Sequence, residues 1–512
     1  MRNSPTVARL IRQAERWRQT GTGPAAATTA RTTDANAAPA ETTTATASPR
    51  EAASSREVTR EVTNSPEVMS ALAGRGSGRP RVVVVGSGYA GLGVLRYLEA
   101  RLPAGAAELA VVSPVDHLLY TSLLPQVAAG DIEPRHLAVS VRATLRRTVS
   151  HLGHATEIDT RGRTVTVLSR AGTPFTLGWD RLVLAPGAHT RTFDIPGLAE
   201  HGLGMKNLAE AVYLRDHVLR QLAYADASAE EAERRARCTF VVVGAGYTGT
   251  ELAAQMRRFT VKALEQFPRL RVDEVRWLLV DLAERVLPEL DEHLGAGASK
   301  VLRERGVEVQ LSTSVREVRP DTVTLTTGEV VPAHTLVWCA GVTPNPLVRA
   351  LGTETVRGRI VVDDQFRVPG LPGVFALGDA AAVPDTTRGG VPAGQTAQNA
   401  VRQGTAAGRN IAASLGFGQM RPYQHRDLGF VVDLGGADAV ANPLGLNLAG
   451  LPAAAVTRGY HLVALKSATN RAYVAADWLL GALLKPRTVQ LGFLPPPQAT
   501  IAEVEQTELY PT

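Results

Sequence analysis

Short apolar runs recur along the chain, and several are followed by glycine and then by a helical spacing of apolar positions. The run Arg81–Val85 precedes one such helical pattern, which extends to about Leu102. The run Cys238–Val243 begins a second unit of the same kind, and Arg276–Val280 is the second strand of that unit. Units in which a buried strand is followed by a helix predict an α/β fold built on parallel strands.

The rest of the pattern predicts how these units are connected. The segment Glu157–Leu177 alternates apolar and polar residues and contains turn residues, which predicts antiparallel strands. Helices are predicted over 205–236 and Leu294–Arg305. Further strands are predicted at Glu108–Val112, Asp180–Ala185, Val307–Leu311, Thr322–Thr326, Thr335–Val337 and Val374–Leu377. This order implies that one α/β domain is inserted into another.

Two glycine-rich fingerprints lie at the ends of the two leading strands, in RVVVVGSGYAG and CTFVVVGAGYTG. In such a fingerprint the first glycine makes a tight turn, the second lets the backbone approach a pyrophosphate, and the third lets the helix pack against the strand. Two fingerprints predict two bound dinucleotides, and the usual reason to hold two is hydride transfer from nicotinamide to flavin. The fingerprint glycines are Gly86, Gly88 and Gly91, and Gly244, Gly246 and Gly249.

Composition and charge exclude several classes of protein. The net charge is +6, of which residues 1–80 carry +4, with 11 Arg against 7 Asp and Glu. No basic cluster or nucleic-acid motif is present, so no nucleic-acid partner is expected. Cys238 and Cys339 are the two cysteines, and both lie in apolar runs that favour buried thiols in a reducing cytoplasm. The histidines lack ligand spacing with cysteines or acids, so no metal site is expected.

Targeting and membrane signals are sparse. No apolar stretch reaches the length of a transmembrane helix, and no secretory signal pattern is visible. Residues 1–78 are rich in Ala, Thr, Ser and Arg and lack periodicity, which predicts a disordered extension. The alternative is an organelle transit peptide, which Glu15, Asp34 and Glu41 disfavour.

From about Arg81 to Trp478 the chain resembles the two-dinucleotide-binding-domain flavoproteins and, within them, the type II, non-proton-pumping NADH:quinone oxidoreductases. Each matching segment is unspecific alone, but together they are quite specific. The segments are LLYTSLLPQVAAG (Leu118–Gly130), DRLVLAPGAHTR (Asp180–Arg191), GYTGTELA (Gly246–Ala253), LVWCAGVTPNP (Leu336–Pro346), VFALGDAA (Val374–Ala381) and TAQNAVRQG (Thr396–Gly404).

The resemblance implies two Rossmann-like dinucleotide-binding domains, one for FAD and one for NADH, the second inserted in the first, followed by a membrane-associating helical region. We expect the disordered extension at 1–78, FAD-domain segments at 79–200 and 351–430, the NADH domain at 201–350 and the C-terminal membrane or dimer-contact region at 431–512.

On the FAD side, the resemblance implies that Gly86, Gly88 and Gly91 hold the pyrophosphate and that Pro186 and Gly187 form a second flavin-contact turn. Gly378 and Asp379 would contact the ribityl or pyrophosphate region, although a helix N-cap is the alternative role for Asp379. The family usually ends its second strand with an acid that binds the adenosine ribose. Ser113 stands at that position here, and Asp116 is an open substitute.

On the NADH side, the resemblance implies that Gly244, Gly246 and Gly249 bind the pyrophosphate, with Gly341 also contacting the cofactor. Asp281 ends the second strand and suits the ribose diol, which favours NADH over NADPH, although Arg285 opposes that preference. Glu251 would position NADH or manage protons near the flavin. The alternative for Glu251 is an acid in the first helical turn that interacts with the helix dipole.

The electron-accepting side carries one departure from the family. Gln398 occupies the first glutamine position of the family's Ala-Gln motif, but Arg402 stands at the second, so either Arg402 or the neighbouring Gln403 is open as a contact for quinone. Ala472–Leu484 is apolar nearly all round and too short to span a bilayer. It fits a helix in the membrane interface, with Trp478 as anchor and Lys485 and Arg487 near headgroups, or else a dimer or core helix.

The sequence thus predicts a bacterial peripheral membrane flavoenzyme on the cytoplasmic face, with FAD and NADH as cofactors, a quinone as acceptor and a possible homodimer. A disulfide reductase or a sulfide:quinone oxidoreductase would need a reactive cysteine pair near the flavin, which the spacing of Cys238 and Cys339 argues against. Two rivals stay open. One is a soluble reductase of a ferredoxin-like or other acceptor, and the other is a flavin-bound redox-sensing protein with little turnover.

Overall fold

The computed structural model describes residues 78–425, 428–484, 488–492 and 499–504. The predicted N-terminal extension up to residue 77, the cations Lys485 and Arg487, and most of the tail lie outside the described residues. The described chain divides into two compact units. The larger contains Arg79–Gly153 and the chain from Asp180 onward, and the smaller contains His154–Trp179. The predicted domain boundaries stay a prediction.

The strands of the described residues, numbered along the chain, are β1 (Arg81–Val85), β2 (Glu108–Ser113), β3 (His117–Leu119), β4 (Ala138–Ser140), β5 (Thr148–Asp159), β6 (Thr164–Ser169), β7 (Pro174–Gly178), β8 (Arg181–Leu184), β9 (Ala188–Thr190), β10 (Thr239–Val243), β11 (Arg276–Val280), β12 (Val307–Gln310), β13 (Val315–Val318), β14 (Thr322–Leu325), β15 (Val330–Pro332), β16 (Thr335–Trp338), β17 (Val342–Pro344), β18 (Thr355–Val356), β19 (Arg359–Val361), β20 (Val374–Ala376), β21 (Ala381–Ala382), β22 (Pro384–Asp385), β23 (Val391–Pro392), β24 (Val431–Gly435), β25 (Asp438–Ala441) and β26 (Leu448–Ala449).

The α-helices of the described residues are α1 (Tyr89–Arg101), α2 (Leu124–Ala128), α3 (Val141–Thr144), α4 (Leu198–His201), α5 (Leu208–Ala227), α6 (Glu231–Arg237), α7 (Tyr247–Ala263), α8 (Glu292–Glu304), α9 (Ala397–Ser414), α10 (Gly450–Ala464), α11 (Ala468–Leu483) and α12 (Ile501–Val504). No helix among these residues is both long and apolar enough to cross a membrane.

The larger unit contains two parallel sheets of the same design. In the first sheet the strand order is β20-β8-β1-β2-β5, and all four neighbouring pairs are parallel. In the second sheet the order is β12-β11-β10-β16, again all parallel. Each sheet starts in its middle and then reverses direction, which is the doubly wound Rossmann arrangement. The predicted α/β fold with two Rossmann-like domains is confirmed.

The first sheet is completed by chain that returns after the second sheet. β20 pairs with β8, and α9 packs across α1. The two helices approach closely because both carry glycine at the crossing. A β-carbon on Gly404 would lie 2.5 Å from the carbonyl oxygen of Ala90, and one on Gly93 would lie 3.2 Å from the Gly404 Cα. The second nucleotide-binding fold is therefore an insertion in the first, as the order of elements predicts.

The smaller unit contains the predicted antiparallel strands. β6 and β7 pair in an antiparallel register from Thr164 opposite Gly178 to Leu168 opposite Pro174. The alternating pattern of this segment places Val165 and Val167 in the interior. The guanidinium of Arg163 lies 5.9 Å from the ring centre of Trp179.

The helix predicted over 205–236 is in fact two helices, α5 and α6, separated by extended backbone at Ser228. The Ser228 hydroxyl accepts the N–H of Glu230 at 3.2 Å, a local bond that competes with helix continuation. At the other end, Asn207 and Glu210 form a capping box that fixes the start of α5. Turn chemistry therefore overrides the apolar periodicity at residue 228.

The second sheet depends on a stacked aromatic pair in its interior. The rings of Phe240 and Trp277 lie 4.7 Å apart, both side chains are fully buried, and the Trp277 indole donates to the Thr260 hydroxyl at 3.2 Å.

We expect Trp277→Ala to lower the free energy of unfolding by about 3–5 kcal/mol, because it leaves a cavity, and Trp277→Phe to lower it much less. Urea denaturation followed by circular dichroism measures both. Val330→Ala, at an exposed position, is the control. An equal loss of unfolding free energy in that variant would contradict the stabilising role of the aromatic pair.

Candidate functional site

The first glycine fingerprint forms a turn that has no room for side chains at two of its three glycines. Gly86 has φ +102°, and a β-carbon on it would lie 2.1 Å from the carbonyl oxygen of Ala185. A β-carbon on Gly91 would lie 2.0 Å from the carbonyl oxygen of Gly86, so α1 packs directly on the turn that precedes it. Gly88 differs, because no protein atom lies within 4 Å of the position its β-carbon would take. The open side of the turn is therefore at Gly88.

The second fingerprint repeats this geometry. Gly244 has φ +106°, and a β-carbon on it would lie 2.8 Å from the carbonyl carbon of Cys339. A β-carbon on Gly249 would lie 1.8 Å from the carbonyl oxygen of Gly244, whereas Gly246 again faces open space. The two turns therefore assign the same roles to their three glycines: a tight turn, an open approach and a close helix contact.

The open glycines are the N-caps of α1 and α7, so neither helix starts with a capping side chain. Neither Gly88 nor Gly246 supplies a side-chain cap, and neither helix carries an acid in its first turn. Unsatisfied N–H groups at a helix start attract anions, and phosphate is the usual occupant. The residues present therefore fit a pyrophosphate at each turn.

The other predicted residues of the first site lie at the same edge of the first sheet. Pro186 and Gly187 follow β8, and Gly378 and Asp379 follow β20, so all lie beyond the carboxyl ends of strands parallel to β1. In doubly wound sheets this edge is where ligands bind, at the point where the strand order reverses. The structure thus brings these residues together with the first glycine turn.

Asp379 is not a helix N-cap. It lies in a short 3-10 turn, Gly378–Ala380, which has no side-chain cap, and the next α-helix begins only at Ala397. Burial raises the pKa of the Asp379 carboxyl, partly offset by Lys206 and Arg359. The amide N–H of Gly378 donates to the Gln403 side chain at 2.8 Å. Gln403 therefore holds the Gly378–Asp379 turn in place through its side-chain oxygen, and its role as an acceptor contact stays a prediction.

Ser113, which replaces the family's ribose-binding acid, is buried at the end of β2. Its hydroxyl lies 2.8 Å from the Ser87 hydroxyl, inside the first glycine turn, and accepts the Val115 amide at 3.3 Å. Asp116, the proposed substitute, is mostly exposed and pairs with His117 at 3.0 Å. The two serines therefore link the strand end to the phosphate turn through a neutral hydrogen bond.

Asp281 lies at the carboxyl end of β11, beside the second turn. Its carboxylate accepts the amide N–H of Ala245, inside the fingerprint, and that of Ala283 at 2.7 Å. Gly341 follows β16 at the same edge of the sheet with φ +94°. Arg285 donates to the Pro288 carbonyl at 2.8 Å. The Asp281 side chain is thus held beside the second glycine turn by main-chain amides.

Glu251 lies in the second turn of α7 rather than the first, since the first turn contains no acid. Its carboxyl is buried, which raises its pKa well above the usual range, and the nearby Asp433 carboxyl raises it further. One donor counters this, the Asp433 main-chain N–H at 2.8 Å from Glu251 Oε1. The helix dipole acts within the first turn, so an acid at the fifth position of α7 does not interact with it in the way a first-turn acid does. Asp433 is a residue that sequence reasoning missed.

On the acceptor side, Gln398 lies in the first turn of α9 and donates to the Gly429 carbonyl at 3.3 Å. Burial raises the pKa of the Tyr423 hydroxyl to about 12 and also raises that of Tyr460, and Arg402, one turn further along α9, partly offsets both shifts. The family's second glutamine position therefore carries a cation that faces tyrosines.

A second buried polar group was not found from the sequence. The Tyr120 hydroxyl lies 3.0 Å from Nδ1 of His461 on α10, and burial lowers the pKa of His461 to about 4. Among the described residues, Nε2 of His461 and the Thr457 hydroxyl, one turn earlier on α10, are buried without a hydrogen-bond partner. Neither His461 nor Thr457 belongs to a local sequence motif, so only the packing of α10 reveals them.

The C-terminal helix α11 has two distinct faces. Its inner face contains Asn470, Val474, Asp477 and Trp478, which follow helical spacing. Asp477 binds His136 at 2.6 Å, and the indole of Trp478 donates to the Gln126 side chain at 2.7 Å. The Trp478 indole N–H therefore has an internal partner, and the role of Trp478 as a surface anchor stays a prediction. The outer face carries Leu479, Leu480 and Leu483, all exposed.

Cys238 and Cys339 are free thiols, and burial raises the pKa of each to about 12. A thiol with such a pKa is not a nucleophile near neutral pH. The geometry thus gives no support to chemistry that relies on a reactive cysteine pair. The described residues contain no group of three histidines, cysteines or acids arranged to hold a metal ion.

Two doubly wound sheets, each with a phosphate-binding turn at its reversal point, define a two-nucleotide oxidoreductase. Comparison with known proteins agrees. Residues 80–404 match the family model described as pyridine nucleotide-disulphide oxidoreductase. The chain is 33% identical over 420 residues to Type II NADH:quinone oxidoreductase NdhA of Mycobacterium tuberculosis, covering 78% of this chain and 87% of that protein.

Two further comparisons extend this likeness. The chain is 30% identical to the internal alternative NAD(P)H-ubiquinone oxidoreductase A1 of Solanum tuberosum, covering 78% of this chain and 86% of that protein. The structure of NDH2 from Plasmodium falciparum in complex with NADH superposes with a TM-score of 0.75 at 16% identity, covering 80% of this chain and all of that one. The chain belongs to the pyridine nucleotide-disulphide oxidoreductase family and, within it, to the type II NADH:quinone oxidoreductases.

The contrast between open and closed glycines gives a test of the second turn. We expect Gly246→Ala to keep the melting temperature but to weaken NADH binding about tenfold or more, because the methyl group enters the space for phosphate; tenfold corresponds to about 1.4 kcal/mol. We expect Gly249→Ala to lower the melting temperature as well, because its methyl group meets the Gly244 carbonyl. Calorimetric titration with NADH and thermal scanning measure these effects.

A matched control for this pair is Gly459→Ala, a helical glycine of α10 with open space around it. It is expected to leave NADH binding unchanged. Wild-type affinity in Gly246→Ala would place the nucleotide phosphates elsewhere.

Proposed function

We propose that the protein binds FAD at the first glycine turn and NADH at the second, and that it oxidises NADH with a membrane quinone as acceptor, without pumping protons. The observation that carries the proposal is the pair of equivalent turns, each with one open glycine at the start of a helix without a cap. FAD held at the first turn would supply the redox chemistry, acceptance of a hydride from NADH and transfer of two electrons to the quinone. The protein supplies position and polarity around the reacting rings.

The site residues have the following proposed roles. Gly86, Gly88 and Gly91 hold the FAD pyrophosphate. A dinucleotide fingerprint at this turn favours FAD over a mononucleotide flavin. Asp281 binds the NADH ribose hydroxyls, and its charge repels the extra phosphate of NADPH. Glu251 lies about one turn beyond the NADH phosphate turn, and its proposed role is to position NADH or manage protons near the flavin. The remaining contacts are Pro186, Gly187, Gly378 and Asp379 on the flavin side and Gly244, Gly246, Gly249 and Gly341 on the nicotinamide side.

The acceptor site is proposed on the side of α9 and α10. Gln398 and Arg402 donate to the quinone oxygens, with the buried polar group of Tyr120 and His461 close by. Arg402 replaces a glutamine of the family pattern and can still donate a hydrogen bond, although it cannot accept one. These residues combine donors with apolar surroundings, as a site for an uncharged quinone ring requires.

The membrane surface is proposed as the place where the quinone is reached, on the cytoplasmic face. The outer face of α11 exposes Leu479, Leu480 and Leu483, and α10 exposes Leu451 and Val463. Apolar side chains on neighbouring helices of this kind suit insertion into the headgroup and acyl boundary. A homodimer through the same face is the competing use of this surface.

A soluble protein acceptor is the alternative to quinone. A surface that docks an electron-transfer protein is usually polar and charged. The exposed leucines of α11 are the observation that disfavours this alternative.

The proposed activity is tested by rapid mixing of the purified flavoprotein with NADH without oxygen, followed by a soluble quinone. We expect the flavin absorbance to bleach with NADH, to recover with quinone, and to bleach far more slowly with NADPH because of Asp281. Bleaching without recovery would move the acceptor to a protein or another oxidant. Flavin that neither NADH nor NADPH bleaches would refute the proposed donor site.

Membrane attachment is tested by changing the outer face of α11 without touching its inner face. We expect Leu479→Ser with Leu483→Ser to reduce binding to liposomes of mixed neutral and anionic lipid about tenfold or more. The reason is that each leucine contributes about 1.5–3 kcal/mol when it is inserted into lipid. Val149→Ser with Val330→Ser, at similarly exposed positions elsewhere, is the control. Binding that is unchanged, together with loss of a dimer in light scattering, would assign the face to a second copy.

A further inference from the structure

Two carboxyl groups lie together in the interior beside the proposed site. Glu251 on α7 and Asp433 on β24 are 7% and 4% exposed. The main-chain N–H of Asp433 donates to Glu251 Oε1 at 2.8 Å, so the two residues are in direct contact, and the charge of Asp433 acts on Glu251. Two carboxyls in one dry environment do not both ionise at the same pH, so we expect one of the two to hold a proton.

The surroundings of the two carboxyls decide which of them holds the proton. Asp433 Oδ1 accepts the Gly435 N–H at 2.7 Å, and Oδ2 accepts the Gln126 amide at 2.9 Å. Glu251 has the single donor already described. Since donors stabilise an anion, the negative charge lies on Asp433 and the proton lies on Glu251.

The charged groups around the pair agree with this division. Burial raises the pKa of the Asp433 carboxyl, Arg458 and Arg258 partly offset this rise, and Asp131 opposes them while it bridges to Arg258 at 2.8 Å. Arg305, also packed against β24, is bound to the Gly435 carbonyl and to Asp438. On the other side, Tyr120 faces Glu251 and carries no charge near neutral pH, because burial raises its pKa.

The orientation of Gln126 is fixed by the C-terminal helix. Gln126 is buried, and its Oε1 accepts the indole N–H of Trp478 on α11 at 2.7 Å. An indole can only donate, so the amide cannot flip without placing two donors against each other. The Gln126 N–H therefore stays directed at Asp433 as long as α11 is in place.

We propose that Asp433 is a positioning residue that keeps the proton on Glu251, and that Trp478, through Gln126, orients Asp433 for this task. This inference rests on the proposed function. Oxidation of one NADH by one quinone gives NAD⁺ and a quinol and consumes one proton. In that step the Glu251 O–H bond breaks, the proton goes to a quinol oxygen, and Glu251 takes a replacement proton from solvent.

The direct test is infrared titration of the protonated carboxyl band, which Glu251→Gln identifies by removing it. With Asp433→Asn the midpoint of this band is expected at lower pH, because the neighbouring negative charge is gone. With Gln126→Leu the Glu251 band is expected to weaken and a second carboxyl band to appear, because the Asp433 anion loses a donor and competes for the proton. Trp478→Phe is expected to act in the same direction as Gln126→Leu but more weakly. A merely structural role would not move the proton from one carboxyl to the other.

The kinetic test follows recovery of the flavin absorbance with a soluble quinone as a function of pH. A proton donor supports the reaction below its pKa and fails above it, so the alkaline limit of the recovery rate should move to lower pH in Asp433→Asn. Glu251→Gln should slow recovery about 100-fold, the lower end of general acid contributions. Asp438→Asn, on the neighbouring strand β25, is the matched control and should change neither the band nor the limit.

The outcomes separate this inference from the proposed function. Wild-type protein that fails to bleach with NADH or to recover with quinone refutes the proposed function, while the infrared titration still tests the acid pair. Wild-type turnover with unchanged carboxyl bands and an unchanged alkaline limit in Asp433→Asn and Gln126→Leu overturns the role of Asp433. If Asp433→Asn does not fold, as judged by circular dichroism and flavin content, Gln126→Leu and Trp478→Phe decide, and unchanged values in both overturn the proposal.

Discussion

The closeness of helix to strand at the two glycine turns is the constraint on which the rest of the molecule depends. At each turn the helix begins so near the preceding strand that a single methyl group at Gly91 or Gly249 would meet a carbonyl oxygen. This contact aims the first amides of α1 and α7 beyond the carboxyl ends of their sheets. In each sheet the strand order reverses beside the leading strand, so the turns that follow neighbouring strands converge at the carboxyl edge of that sheet.

The same geometry sets the distance from the second phosphate turn to the buried acid. Glu251 lies on α7, five residues past its N-cap, and a helix rises 1.5 Å per residue. The acid is thus held about 7–8 Å along the axis from the place where a phosphate would bind. A rigid helix that carries both a phosphate-binding end and a buried acid needs no flexible loop to relate them. The strand β24, which carries Asp433, packs on that helix and completes its environment.

Much of this fold could be predicted because its signals are local. Runs such as Arg276–Val280 have the predicted bounds, and the two fingerprints specify turns whose geometry follows from missing β-carbons. The site could be predicted only where a motif marks it. Asp433 lies 182 residues from Glu251 with no motif around it, and only the packing of β24 on α7 brings the two together. Long-range pairing of this kind leaves no periodic trace in the sequence.

Other contacts could not be predicted for related reasons. Gln403 fits an acceptor contact by its spacing, and its side-chain oxygen accepts the Gly378 amide, in a turn reached only through the fold. Ser113 is a departure from the family pattern, and the structure shows its hydroxyl bound to Ser87 within the phosphate turn. In each case a polar side chain is satisfied by a backbone or hydroxyl group from a distant segment. Hydrogen bonds of that type depend on tertiary structure and not on residue type alone.

The C-terminal helix α11 connects the surface of the molecule to its interior. An apolar segment that only contacts lipid has no preferred rotation about its axis, but α11 is fixed by polar partners. Asp477 binds His136, and Trp478 binds Gln126, so the leucines on the opposite face are directed outward by necessity. The Asp477 carboxyl and the Trp478 indole N–H are therefore the groups that orient α11. Because Gln126 also binds Asp433, the rotation of this helix and the environment of the buried acid pair are determined by the same hydrogen bonds.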